Sequence, residues 1–135
     1  MITSRFTELT AARYVALTTY RRDGTPKRTP VWPVDAGNGR VGFVTSSKTW
    51  KVVRITTNSQ VMLQPSDAKG RADAAAVVVR GTAKVVSGDA FAAVRDGVKA
   101  KYGFQLWCID VLHALPGRRT GQRNDCAVIV TISDD

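Results

Sequence analysis

The chain is poor in the residues that carry out chemistry on their own. Its 135 residues include one histidine, two cysteines and eleven Asp plus Glu. A nucleophilic triad or an imidazole-based metal site needs positioned partners around a histidine. His113 lies in the apolar run "FQLWCIDVLHAL" without such a set and reads as structural. Cys108 and Cys126 are too few for a disulfide framework and too far apart for a CxxC motif, so they read as reduced packing thiols. No apolar run approaches the ~18 residues that a membrane span needs, and "MITSRFTELT" lacks the basic-then-apolar layout of a secretory signal. These absences lead to the expectation of a cytoplasmic protein with no membrane insertion.

Acid is scarce but base is not. Twenty Lys plus Arg give a formal charge of +9, which favours a polyanion, an anionic cofactor or an acidic surface without choosing among them. With 44% hydrophobic residues, the length suits one domain over 1–135 with a modest core.

Periodicity divides the chain into short strands and late helices. Residues 14–20 are β-branched and aromatic, Asp23-Gly24 with Pro26 supplies turn chemistry, and a second strand resumes over 29–34. Pro30 and Pro33 cannot donate to a ladder, which puts that strand at an edge, gives it a bulge, or leaves backbone groups for a ligand. "DAGNGR" turns into a third strand over 40–45, "SQVMLQPSD" gives a fourth, and 74–87 carries the longest β signal. Gly81 inside that run suggests a bend or bulge. Phe91, Val94, Val98 and Tyr102 then recur at helical spacing with Gly103 after the last turn, a second helix follows to Pro116, and a final strand covers 126–132. The fold class is α+β, mainly β: a small antiparallel barrel or curled sheet with helices at one side. "GNGR" and "GRRTGQR" match no phosphate-loop motif and read as a turn and a solvated loop.

The stretch "TSSKTWKVVRI", residues 45–55, is more specific. On a helix, Lys48, Lys51 and Arg54 spread over roughly a 120° arc, with Trp50 and Val53 on the other side. Three like charges repel unless an anion or water relieves them. Thr45, Ser46, Ser47 and Thr49 add hydroxyl donors at a helix start, where free N–H groups and the dipole favour an anion. Composition and spacing alone leave a phosphate site and a solvated face both open.

The order "LTTYRRDGTPKRTPVW", "GFVTSSKTWKVVRI", "VMLQPSDAKGR", "AKYGFQLW" resembles the split-barrel family of pyridoxamine-phosphate-oxidase-like flavin and deazaflavin reductases over about residues 6–132. It is most similar to the short actinobacterial-type branch that binds coenzyme F420. The resemblance implies a six-stranded antiparallel split β-barrel with flanking helices, forming a homodimer with cofactor sites at the interface. It also implies that Thr45, Thr49, Lys51 and Arg54 hold the cofactor's phosphate, Lys51 above all, with Ser46, Ser47 and Lys48 beside them. Thr29, Pro30, Val31 and Trp32 would line the ring system, and Gln64 and Pro65, with the loop 68–71, would close the site. Lys48 and Trp50 stand where small or acidic residues are common in that family, and Pro33 after "VW" departs from it too.

The implied activity is hydride transfer between F420 and a small conjugated organic substrate, with FMN as the alternative cofactor. The ring performs such chemistry and the protein supplies binding, orientation and exclusion of water, so a lack of acid–base residues is expected. Oxidation of pyridoxamine phosphate itself is not expected, because the chain is short and lacks that enzyme's basic motif near its C-terminus. A different class stays open: a cofactor carrier, or a nucleic-acid module using Tyr20, Trp32 and Trp50 as stacking platforms. Packing is the plainer role for those aromatics, and nucleic acid is the weaker partner.

Overall fold

The computed structural model describes residues 2–72, 77–113 and 125–133, with side chains described over 5–72, 77–103 and 125–133. In chain order it comprises α1 (Ile2–Ala11), β1 (Tyr14–Tyr20), β2 (Pro26–Val31), β3 (Val34–Gly37), β4 (Arg40–Thr45), α2 (Trp50–Thr57), β5 (Gln60–Ser66), β6 (Val79–Val86), α3 (Gly88–His113) and β7 (Cys126–Ile132). All seven strands join one antiparallel sheet in the order β2-β1-β5-β6-β7-β4-β3.

The strand count corrects the six expected from sequence. The expected strand over 29–34 is broken at Trp32–Pro33, neither of which joins a ladder, and its two parts go to opposite ends of the sheet. Pro33 has no N–H to donate, and Pro30 in β2 is tolerated because that strand is an edge. Val31 and Val34 are three residues apart, so their Cα atoms can lie at most about 11 Å from each other. That short link forces the sheet to coil until its edges approach, although the hydrogen-bonded ladder itself is not closed. The rest of the difference is a tight hairpin: Asn38 and Gly39 both have positive φ (56° and 71°), the two-residue geometry that joins β3 to β4.

Alternation along the strands separates two clusters. Val15 and Leu17, Val41 and Phe43, and Val128, Val130 and Ile132 point inside the coil, where Leu9 of α1 and Ile55 of α2 join them. Ala127 and Ile129 point outward and meet Val94, Val98 and Tyr102 of α3, together with Val34. Gly42 permits this contact, since a Cβ there would stand 3.2 Å from Val94. The expected helical face of α3 is therefore seen, and non-helical dihedrals at Gly103 mark the expected break between its two halves.

Gly81 carries no bulge. The registers of β5–β6 and β6–β7 run through it unbroken, and a Cβ would lie 2.6 Å from Val130 and 2.8 Å from the Thr131 carbonyl. Close backbone approach, the other use of glycine within a strand, explains it. The β signal over 74–87 becomes a strand only from Val79, and 73–76 fall outside the described residues. The helix to Pro116 is described as far as His113, while the side chains of Cys108 and His113 and the whole of "GRRTGQR" lie outside the described residues. No described helix is long and apolar enough to cross a membrane.

The Trp32–Pro33 link is fastened from α3. The Lys101 ammonium donates to the carbonyls of Thr10 (2.6 Å), Ala12 (2.7 Å) and Pro33 (2.6 Å). The Tyr102 hydroxyl lies 3.0 Å from the carbonyls of both Arg13 and Pro33, and burial raises its pKa well above the ordinary phenol value, keeping it a neutral donor. Two adjacent side chains of α3 thereby tie the end of α1 and the residues after it to the β2–β3 link.

Candidate functional site

β4 ends at Thr45, opposite Cys126 of β7. The next four residues form a turn that is largely self-satisfied. Thr49 donates to the Ser46 carbonyl through both its N–H (3.1 Å) and its hydroxyl (2.9 Å), and the Lys48 N–H donates to Ser46 Oγ (3.2 Å). Ser47 donates both its N–H and its hydroxyl to the carboxylate of Asp125, each over 2.7 Å. Those two bonds, the hydroxyl first, hold the Asp125 pKa below the ordinary carboxylate value. Ser47 is thus the partner of an aspartate that sequence reasoning did not single out.

α2 begins at Trp50, so Lys48 stands in the turn and not on the helix. Thr49 is the N-cap in extended backbone, but its side chain makes no cap bond. Val52 and Ile55 are buried, whereas Trp50 and Val53 are 74% and 47% exposed. The expected separation of Trp50 and Val53 from the cations does not hold, because Trp50, Val53 and Arg54 line one cavity.

Lys51 and Arg54 occupy the rim between the buried face and that cavity. Among the described residues, no hydrogen bond or ion pair reaches the half-buried Lys51 ammonium. Burial, then the Arg54 charge, lowers its pKa, while the neighbouring Cys126 opposes the shift. Arg54 donates from Nε to Thr19 Oγ1 at the end of β1 (2.7 Å), and burial followed by the Arg21 charge lowers its pKa. Burial first, then Asp125, raises the pKa of the buried Cys126 thiol, which donates to the Thr45 carbonyl (3.5 Å). It reads as a packing group, not a nucleophile.

The remaining sequence-derived positions form two further groups. Pro30 and Gln64 flank Ala16 on either side of β1, and Pro65 is level with Val15 and Val31. Gly70 of the 68–71 loop packs over Pro30, where its Cβ would lie 3.3 Å from the ring. Pro30, Gln64 and the loop are therefore together, about 10 Å along β1 from Thr19, where Arg54 is anchored. Thr29 pairs with Leu17 and is half-buried, and Val31 is 7% exposed within the inner cluster. Trp32 belongs to neither group: it stacks on Tyr102 with ring centroids 4.6 Å apart. Arg21, Arg22 and Thr19 were missed, since "YRRDG" reads first as a hairpin tip; the adjacent arginines were the available signal.

The fold defines a class, the coiled antiparallel sheet with flanking helices, three among the described residues. Residues 4–124 match the profile of the pyridoxamine 5′-phosphate oxidase family, and the chain belongs to that family. Solved structures share the fold at low identity. The heme storage protein HutZ of Vibrio cholerae is 14% identical with a TM-score of 0.62, over 99% of this chain and 89% of that one. HupZ of Group A Streptococcus is 15% identical with a TM-score of 0.65, covering 98% and 90%. An F420 reductase is 21% identical with a TM-score of 0.56, covering 93% and 91%. No match emerges among curated proteins.

Proposed function

We propose that this protein is an F420-dependent oxidoreductase acting on a small conjugated organic substrate, and that it works as a homodimer. The observation that carries the reading is Lys51, a half-buried ammonium without a described partner in the first turn of a helix that lacks a side-chain cap, with the Arg54 charge one turn further on helping to lower its pKa. An anionic group placed there relieves the repulsion of the two cations and satisfies α2's first N–H groups. The family and an F420 reductase of the same fold support the choice of cofactor class.

When bound, the deazaflavin supplies hydride transfer. The chain's part is to hold and shield it. Lys51, Arg54 and the exposed Lys48 bind phosphate and carboxylate charge, while Thr45 and Thr49 shape the turn. Ser46 and Ser47 fix the turn's backbone through Lys48 and Asp125. Pro30 and Gln64, under the 68–71 loop, offer a flat wall along β1 for the ring. Thr29, Pro65 and Val31 support that wall from the sheet, while Trp32, stacked on Tyr102 of α3, stands beyond it.

Titration of the protein into F420, followed by fluorescence, tests the reading. Binding is expected at micromolar protein, and Lys51→Ala should weaken it about 10- to 100-fold, the value of one charge-assisted contact. FMN binding with no F420 binding would move the assignment to the flavin enzymes. A Soret band on adding hemin, with neither cofactor bound, would align the protein with the heme storage protein HutZ and sink the proposal.

A further inference from the structure

The cations of α2 do not all face the turn. A cavity of about 490 Å³ opens on the other side of Arg54, lined by Tyr20, Arg21, Arg22, Trp50, Val53, Arg54 and Thr57. Two of the three exposed large hydrophobic side chains among the described residues, Trp50 and Val53, belong to it. Exposed indole next to exposed valine is a cost in water that a partner would remove.

The charge in this cavity is of one sign. Three of its seven lining residues are arginines and none is acidic. Arg54 uses Nε on Thr19, and among the described residues its terminal nitrogens have no partner. No described ion pair involves Arg21 or Arg22. The Thr25 N–H, donated to the Asp23 carboxylate at 3.0 Å, and then the Arg21 charge lower the pKa of Asp23, whose carboxylate is thus already engaged within the turn. Position is fixed on both sides: Arg54 ties α2 to β1, and the hairpin tip is closed by Arg21 N–H to the Thr25 carbonyl (2.9 Å) and Gly24 N–H to the Arg21 carbonyl (2.8 Å).

We infer that this cavity is a binding site for a planar aromatic carboxylate or phosphate, beside the Lys51 cradle and sharing only Arg54 with it. The indole of Trp50 and the phenol ring of Tyr20 offer faces for stacking, and guanidinium forks match the two oxygens of a carboxylate or phosphate. An aliphatic acid lacks the first match and a neutral aromatic lacks the second. The site needs no cofactor and holds whether or not F420 is the right one.

The test uses cofactor-free protein and three probes: 2-naphthoate, its neutral analogue 2-naphthamide, and cyclohexanecarboxylate, measured by calorimetry and by quenching of tryptophan emission. Naphthoate should bind at least about tenfold more tightly than either comparator. Trp50→Ala and the double variant Arg21→Gln/Arg22→Gln should each weaken naphthoate about tenfold or more, whereas Lys51→Ala should leave it within about threefold. Trp50 is exposed, so its removal leaves the fold intact. Equal binding of naphthamide, or naphthoate affinity indifferent to Trp50, overturns the inference. So does a Trp50-dependent dimer that excludes naphthoate, or a short deoxythymidine strand that displaces it at lower concentration. Loss of F420 binding in Lys51→Ala with naphthoate retained supports both readings, and naphthoate binding in a protein that ignores F420 leaves this one standing alone.

Discussion

Lys101→Met removes one charge and keeps most of the side chain's length and apolar stem. The ammonium has three protons and three carbonyl acceptors, those of Thr10, Ala12 and Pro33, all within 2.7 Å. A fully buried hydrogen bond from a charged donor contributes about 1.5–3 kcal/mol net, but water replaces much of that at the surface. The bond to Pro33 is part-buried and the other two are exposed, so the first counts near the lower figure and the others at about 0.5 kcal/mol each. The ammonium also lies 5.0 Å from the Tyr102 ring centroid, worth a further ~0.5 kcal/mol. The expected loss is about 2–3 kcal/mol, or a Tm lowered by about 6–12 °C for a domain of this size. Urea unfolding with an unchanged m-value and a lowered midpoint would check it. A shift below about 0.5 kcal/mol would refute the view that one ammonium fastens α1 to the link between the sheet edges.

Other perturbations address the sheet and the turn. Gly81→Ala places a methyl group 2.8 Å from the Thr131 carbonyl, which cannot swing aside, and should cost about 1–3 kcal/mol in urea unfolding. Asp125 has a folded pKa below its ordinary value, so its contribution is complete above pH 3.8 and is lost as pH falls through the lower folded value. Asp125→Asn should flatten that acid limb when stability at pH 5 is compared with stability near pH 2–3. The Lys51 pKa is lowered below 10.5, so anion affinity of the free protein should decline with rising pH earlier than for an ordinary lysine. Lys51→Arg should hold affinity to higher pH in the same F420 titration.

What sequence reveals depends on how local the cause is. β1, β4 and β7 are short runs rich in β-branched and other apolar residues whose side chains alternate between two packed surfaces, and their bounds are as expected. The break at Trp32–Pro33 is not local: Pro33 signals trouble in a strand, but only the placement of Val34 beside Gly42 shows that the chain changes sheet edge there. α1 escaped notice because few of its residues point to the core, Leu9 being fully buried while Thr7 and Glu8 are exposed. At the site, the charge spacing of Lys51 and Arg54 was legible because both lie on one short helix. Lys48 belongs to the turn, which was not. The Asp125–Ser47 pair spans 78 residues, and the meeting of the Arg21–Arg22 hairpin tip with Trp50 depends on how far the sheet coils.

The position of β7 in the sheet has a consequence for how the chain is made. It lies between β6 and β4, and the β3–β4 hairpin has no other strand neighbour. While a nascent chain lacks residues 126–132, β2-β1-β5-β6 can pair as one piece and β3-β4 as another, with nothing to zip them together. Each piece then presents an unpaired strand edge, the surface through which neighbouring chains stick. Because these pairings are long-range, assembly waits on the final strand, and loss of that segment alone would leave two half-sheets exposed to aggregation.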